Sequence, residues 1–188
     1  MLNRCLKLCI WACAIWPALS WSASLSVEVY DGVFQDATEL WLPAQDWRRL
    51  KAQCYQESLL EADARSPVGA IGICQFMPAT WGEARDALRL RVDAWNPQAS
   101  IYAAAWYKAR LLRIWTAPRP AVDRLHLAEA SYNAGAGNLI KAQRVCGGPP
   151  LYADIIVCLP QVTGEHARET ITYVERIDIW YRRLLILQ

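Results

Sequence analysis

Residues 46–58 read DWRRLKAQCYQES, and this stretch decides the fold. Asp46 is a side chain suited to capping a helix N-terminus, and the spacing predicts a helix over 47–62. Its inward stripe runs Trp47, Leu50, Cys54 and then reaches Glu57. A carboxylate on that apolar face is expensive. Burial penalises the ionised form and raises the pKa, so the group keeps a proton near neutral pH and can deliver it to a leaving oxygen. On these residues alone, Glu57 is equally readable as a solvated helix residue or as one partner of a buried ion pair.

Outward from this helix the chain is punctuated like a helical domain. Pro67, Gly69, Gly72 and Pro78 make the stretch before Pro78 a loop. Pro78 at a first turn opens a second helix through about Leu90. Asn96 before Pro97 starts a third, QASIYAAAWYKARLLRIW, with Ile101, Ala105, Lys108, Leu112 and Trp115 near one face and the stem of Lys108 lying along it. AVDRLHLAEASYN is a fourth helix and NLIKAQRV a fifth. The Cys146–Cys158 segment is read as loop, and TGEHARETITYVERIDIWYRRLLILQ as one long amphipathic helix with Ile171, Val174, Ile177 and Leu184 toward the core. Strand signals are few, so the expected fold class is mainly α, in a single domain.

With 188 residues, 54% of them hydrophobic and 20% charged, the composition belongs to a folded domain with a substantial core. MLNRCLK followed by LCIWACAIWPALS reads as a secretory leader over 1–22, cleaved after Ser20 or Ser22, with an uncleaved anchor as the competing reading. Residues 23–45 are read as an irregular or weakly extended arm, and 46–188 as the catalytic domain. Losing Arg4 and Lys7 with the leader leaves 18 basic residues against 18 acidic ones, a balance that offers a nucleic-acid backbone no footprint.

Cys54, Cys74, Cys146 and Cys158 remain in the exported part, and four cysteines allow three pairings. Cys146 with Cys158 is favoured because the pair brackets GGPPLYADIIV, which leaves Cys54 with Cys74 as a second bridge or as two buried thiols. His126 and His166 have no close cysteine cluster, so neither a metal nor another cofactor is expected.

Three motifs then line up in order: ES at Glu57–Ser58 followed by ARSPVGAIGICQFMPATW over 64–81, YNAG at Tyr132–Gly135, and ETITYVERI over 169–177. Together, across roughly residues 46 to 180, they resemble the lytic transglycosylase family, which shares the goose-type lysozyme fold (the SLT domain). LPAQDWRRLKAQCYQES is similar in composition to phage-associated and prophage members. The resemblance implies that Glu57 is the catalytic acid and then base. It implies further that Ser66, Gln75, Tyr132, Asn133, Tyr173 and Glu169 bind substrate or orient the acid.

The implied reaction cuts peptidoglycan glycan strands between N-acetylmuramic acid and N-acetylglucosamine without consuming water, leaving a 1,6-anhydromuramoyl end. A hydrolytic lysozyme of the same fold, or a wall-binding accessory protein of an envelope-spanning machine, are the alternatives. The implied setting is exported, periplasmic or extracellular. There the protein would be a monomer without stable membrane insertion once the leader is removed, able to dock to an envelope-spanning complex.

Two departures from the family pattern matter. Glu61 and Ala62 stand where the family has Asn or Asp followed by Pro, which on a continuing helix would set Glu61 on the face of Glu57. Cys74 stands where the family commonly carries an apolar residue, and a bond to Cys54 would pin the Gly-rich loop to the acid-bearing helix.

Overall fold

A computed structural model describes residues 28–187; the expected leader over 1–22 lies outside them. The described chain is helical. In order, α1 spans Asp31–Trp41, α2 Trp47–Ser58, α3 Pro78–Leu88, α4 Pro97–Ile114, α5 Ala121–Ala134, α6 Ala136–Val145, α7 Tyr152–Ile156 and α8 Pro160–Thr163. A 3-10 turn over Gly164–His166 then leads into α9, Ala167–Ile186. Among the described residues there is no strand, only the isolated bridges Arg65 to Ile71 and Ile71 to Phe76 inside the loop that follows α2.

The expected starts hold where a cap or a proline marks them. The Asp46 side chain accepts from the Arg48 N–H, the Asn96 side chain accepts from the Ala99 N–H, and Pro78 opens α3. The ends differ. α2 stops at Ser58, not Ala62, because Leu59 and Leu60 take left-handed conformations with φ of 59° and 65°. The returning loop occupies the end of the helix: the Ser58 hydroxyl donates to the Ile73 carbonyl at 2.7 Å, and Cys54 is bonded to Cys74. Glu61 therefore lies exposed beyond the helix and shares no helical face with Glu57.

Three other stretches depart from expectation. The supposed arm contains α1, whose Phe34, Ala37 and Thr38 are buried at helical spacing against α2 and α4, and whose Asp31 accepts from the Lys51 ammonium at 2.6 Å. The Cys146–Cys158 segment is not all loop, since the Tyr152 N–H is taken up by Asp123 Oδ1 at 2.7 Å and Ile155 is buried, which winds α7. The long last helix is interrupted at Gly164, whose φ of 60° turns the chain before α9 begins.

The second disulfide closes this region as Cys146–Cys158. Lys108 differs as well. Its ammonium does not reach solvent from an apolar stem but is wholly buried, 2.8 Å from Glu129.

One loop contact admits no side chain. Gly72, at φ +78°, sits so close to the next turn of chain that a Cβ there would lie 2.0 Å from the Ala94 carbonyl oxygen. This approach anchors the loop between α2 and α3 over the acid-bearing helix.

Candidate active site

Glu57 emerges from the last turn of α2, and α9 crosses α2 so that Tyr173 faces it. The Tyr173 hydroxyl donates to Glu57 Oε1 at 2.5 Å. The same interface is tied at three further levels: the Trp180 indole N–H donates to Gln56 Oε1 at 2.9 Å, Arg49 pairs with Asp178 at 2.6 Å, and the Tyr181 hydroxyl donates to Asp46 at 3.3 Å. The rotation and height of α2 against α9 are thus fixed around the acid.

Burial lifts the Glu57 carboxyl to about 8; the Tyr173 hydrogen bond works against that rise, and the charge of Glu169 adds to it. At neutral pH Glu57 holds its proton. One oxygen accepts from tyrosine and the other is left to carry the hydrogen.

The carboxyl opens on a cleft of about 850 Å³. All seven residues named from the motifs line it: Glu57, Ser66, Gln75, Tyr132, Asn133, Glu169 and Tyr173. Their hydrogen bonds sort them. Gln75 spends its amide N–H groups on the carbonyls of Ala64 at 3.0 Å and Gly72 at 2.8 Å, so only its carbonyl oxygen remains for a ligand. Ser66 Oγ accepts from the Ala70 N–H at 2.9 Å and closes its own turn. The Tyr132 hydroxyl donates to the Cys74 carbonyl at 2.9 Å, joining α5 to the disulfide-held loop, while its ring meets Phe76 and Tyr107 edge to face. Asn133 Oδ1 accepts from the Thr170 hydroxyl at 2.7 Å, joining α5 to α9. Glu169 is exposed to the cleft with no ion-pair partner among the described residues.

Several residues of consequence escaped the motif reading. Glu129 is fully buried between Arg49, bonded at 2.9 and 2.7 Å, and Lys108. Burial by itself would raise its pKa, yet the Lys108 and Arg49 charges together outweigh that and hold it below the ordinary carboxylate value. The signal was present: Glu129 interrupts the apolar run LHLAEA as Glu57 interrupts its own stripe. Val68 and Met77, exposed on the loop side of the cleft, and Arg168 and Arg176, on α9, also line it. Among the described residues, no group of three or more His, Cys, Asp or Glu side chains is arranged to hold a metal ion.

A helical frame that presents a protonated glutamate to a cleft is the architecture of lysozyme-like folds. The chain belongs to the Transglycosylase SLT domain family, which matches residues 38–149. It is 32% identical over 186 residues to membrane-bound lytic murein transglycosylase F of Alteromonas mediterranea, covering 90% of this chain and 38% of that protein. To the protein of the same name from Thiobacillus denitrificans it is 34% identical over 170 residues, covering 82% of this chain and 35% of that protein. The chain thus spans little more than a third of the length of these curated relatives.

Among solved structures, an inactive mutant of the lytic transglycosylase Slt from Pseudomonas aeruginosa superposes with a TM-score of 0.66 at 22% identity, over 85% of this chain and 25% of that one. The 70 kDa soluble lytic transglycosylase of Escherichia coli gives a TM-score of 0.64 at 20% identity, over 89% and 28%. The likeness to these two is one of fold.

Proposed function

We propose that this protein is a peptidoglycan lytic transglycosylase that cleaves the β-1,4 bond between N-acetylmuramic acid and N-acetylglucosamine, with Glu57 as acid and then base. The observation that carries this reading is the Glu57 carboxyl, held protonated to about pH 8 and hydrogen-bonded by Tyr173 at the wall of a cleft large enough for several sugars.

In the first step Glu57 gives its proton to the glycosidic oxygen as the bond to the anomeric carbon breaks, and the substrate's own N-acetyl oxygen supports the positive charge left there. In the second, the glutamate takes the proton from the muramoyl 6-hydroxyl as that oxygen closes on the anomeric carbon. The acid is restored and no water enters the balance. Ser66, Gln75, Tyr132, Asn133 and Glu169 shape the cleft for sugar hydroxyl and acetamido groups.

No helix among the described residues is long and apolar enough to cross a membrane. The reading puts the protein's action on peptidoglycan in the cell envelope, as an exported monomer that an envelope-spanning complex can recruit. The test is to incubate the protein and its Glu57→Gln variant with purified sacculi and identify the released muropeptides by mass spectrometry. Anhydromuramoyl ends from the parent, reduced about 100-fold or more in the variant, are expected. Reducing ends in their place establish a lysozyme instead. Unchanged wall clearing by the variant, or binding without cleavage by the parent, removes the catalytic reading.

A further inference from the structure

We infer that Gln56 reads the acetamido groups of the glycan, donating from its amide nitrogen to an N-acetyl carbonyl oxygen, and that Trp180 positions it to do so. This rests on the glycan-cleaving function proposed above. Gln56 stands next to Glu57 in the last turn of α2, is half-buried and lines the same cleft. Its amide oxygen accepts from the Trp180 indole N–H at 2.9 Å. An indole N–H can only donate, so the amide oxygen is fixed toward Trp180 and the nitrogen is turned the other way. That nitrogen has no hydrogen-bond partner among the described residues and is not shut away from the cleft.

The anchor is itself held. Trp180 is buried on α9, with the Tyr55 ring edge to face at 5.0 Å and the Arg183 guanidinium over its ring at 4.8 Å, two contacts that fix the direction of the indole N–H. It lies seven residues beyond Tyr173, about 10 Å along the helix axis, whereas Thr170, which ties Asn133, lies three residues before Tyr173. Along α9 the ties therefore run Asn133, Glu57, Gln56. Gln56 serves the part of the cleft on the far side of the acid from Asn133.

The bonding of the neighbours decides what Gln56 can meet. Gln75, Tyr132 and Tyr173 spend their polar hydrogens on acceptors within the protein. Gln56 is wired the opposite way: its acceptor is spent and its two donors are free. A sugar hydroxyl pairs with either kind of group, but an acetamido carbonyl oxygen can only accept, and every N-acetylated sugar carries one.

The test separates binding from cleavage. In a Glu57→Gln background, calorimetry compares a β-1,4 tetramer of N-acetylglucosamine with the β-1,4 tetramer of glucose, which bears a hydroxyl in place of each acetamido group. The N-acetylated tetramer binds more tightly, and adding Gln56→Met lowers that preference about 3- to 10-fold, the range of one hydrogen bond. Trp180→Phe keeps a ring against Tyr55 but frees the amide to turn; it lowers the preference by less, and not at all once Gln56 is already replaced. On glycan strands, with Glu57 in place, the loss of kcat/KM in Gln56→Met falls chiefly on KM. Each variant is assayed well below its own thermal midpoint, since both substitutions also loosen α2 from α9.

No preference at the outset, an unchanged preference in Gln56→Met, an equal loss on both tetramers, or a Trp180→Phe effect that persists in full without Gln56 overturns the inference and leaves the proposed function standing. A protein that binds neither tetramer and cuts no strand removes both.

Discussion

Two glutamates interrupt apolar helical stripes in this chain, and their neighbours send them in opposite directions. Glu57 meets a tyrosine hydroxyl and keeps its proton; Glu129 meets Lys108 and Arg49 and loses it. The sequence rule that marks a carboxylate on a buried face finds both and cannot separate them, because the deciding partners come from other helices, 21 to 116 residues away. The motif order is what set Glu57 apart. The Tyr173 bond favours the charged form of Glu57, so Tyr173→Phe raises the Glu57 pKa and moves the alkaline limb of the pH–rate profile above its expected position near 8, with activity falling about tenfold. A pH–kcat/KM profile of parent and variant checks the direction of that shift. Glu129→Gln leaves Lys108 with no countercharge in the core and Arg49 with Asp178 alone, and should cost about 3–5 kcal/mol in chemical denaturation.

At the scale of elements, the sequence marks beginnings better than ends. Asp46, Asn96 and Pro78 act within one turn and carry their own chemistry, so α2, α4 and α3 start where their residues say. The stop of α2 at Leu59 depends on a loop that returns from residues 64–77, and no residue at the stop announces it. α1 was missed for a related reason. Its buried stripe is only Phe34, Ala37 and Thr38, and the flanking VEVYDG alternates like a strand; packing on α2 and α4 supplies what propensity does not. The loop itself is held by the close pass of Gly72 to Ala94. Gly72→Ala must displace that carbonyl and adopt a positive φ, and should lower stability by about 2–3 kcal/mol while weakening activity, measurable by thermal unfolding and sacculus clearing.

For the whole molecule, the titrating groups set a pH window. Glu57 binds its proton more tightly folded than unfolded, so the stability of the fold falls as pH climbs from its ordinary value of 4.5 to about 8. Glu129 is held below its ordinary value. Asp178, where the His126 hydrogen bond and Arg49 charge outweigh burial, sits at about 2, and both lose their contribution as pH drops below the unfolded carboxylate range. The thermal midpoint should therefore peak in mildly acidic buffer and decline on either side, and Glu57→Gln should flatten the alkaline decline alone.

Which residues share the cleft was legible from the motifs. How they divide the work was not: Gln75, Ser66 and Tyr132 turn most of their bonding toward the loop and its backbone, a division settled by contacts spanning up to 58 residues. The clamp on that loop has a further consequence. Cys54 lies one turn before Glu57, so the wall opposite the acid is fastened by a bond that thiol-reducing surroundings dissolve. With that bond open, the loop facing Glu57 would lose its covalent latch to the helix that carries the acid. Stepwise dithiothreitol treatment should silence the protein and re-oxidation revive it.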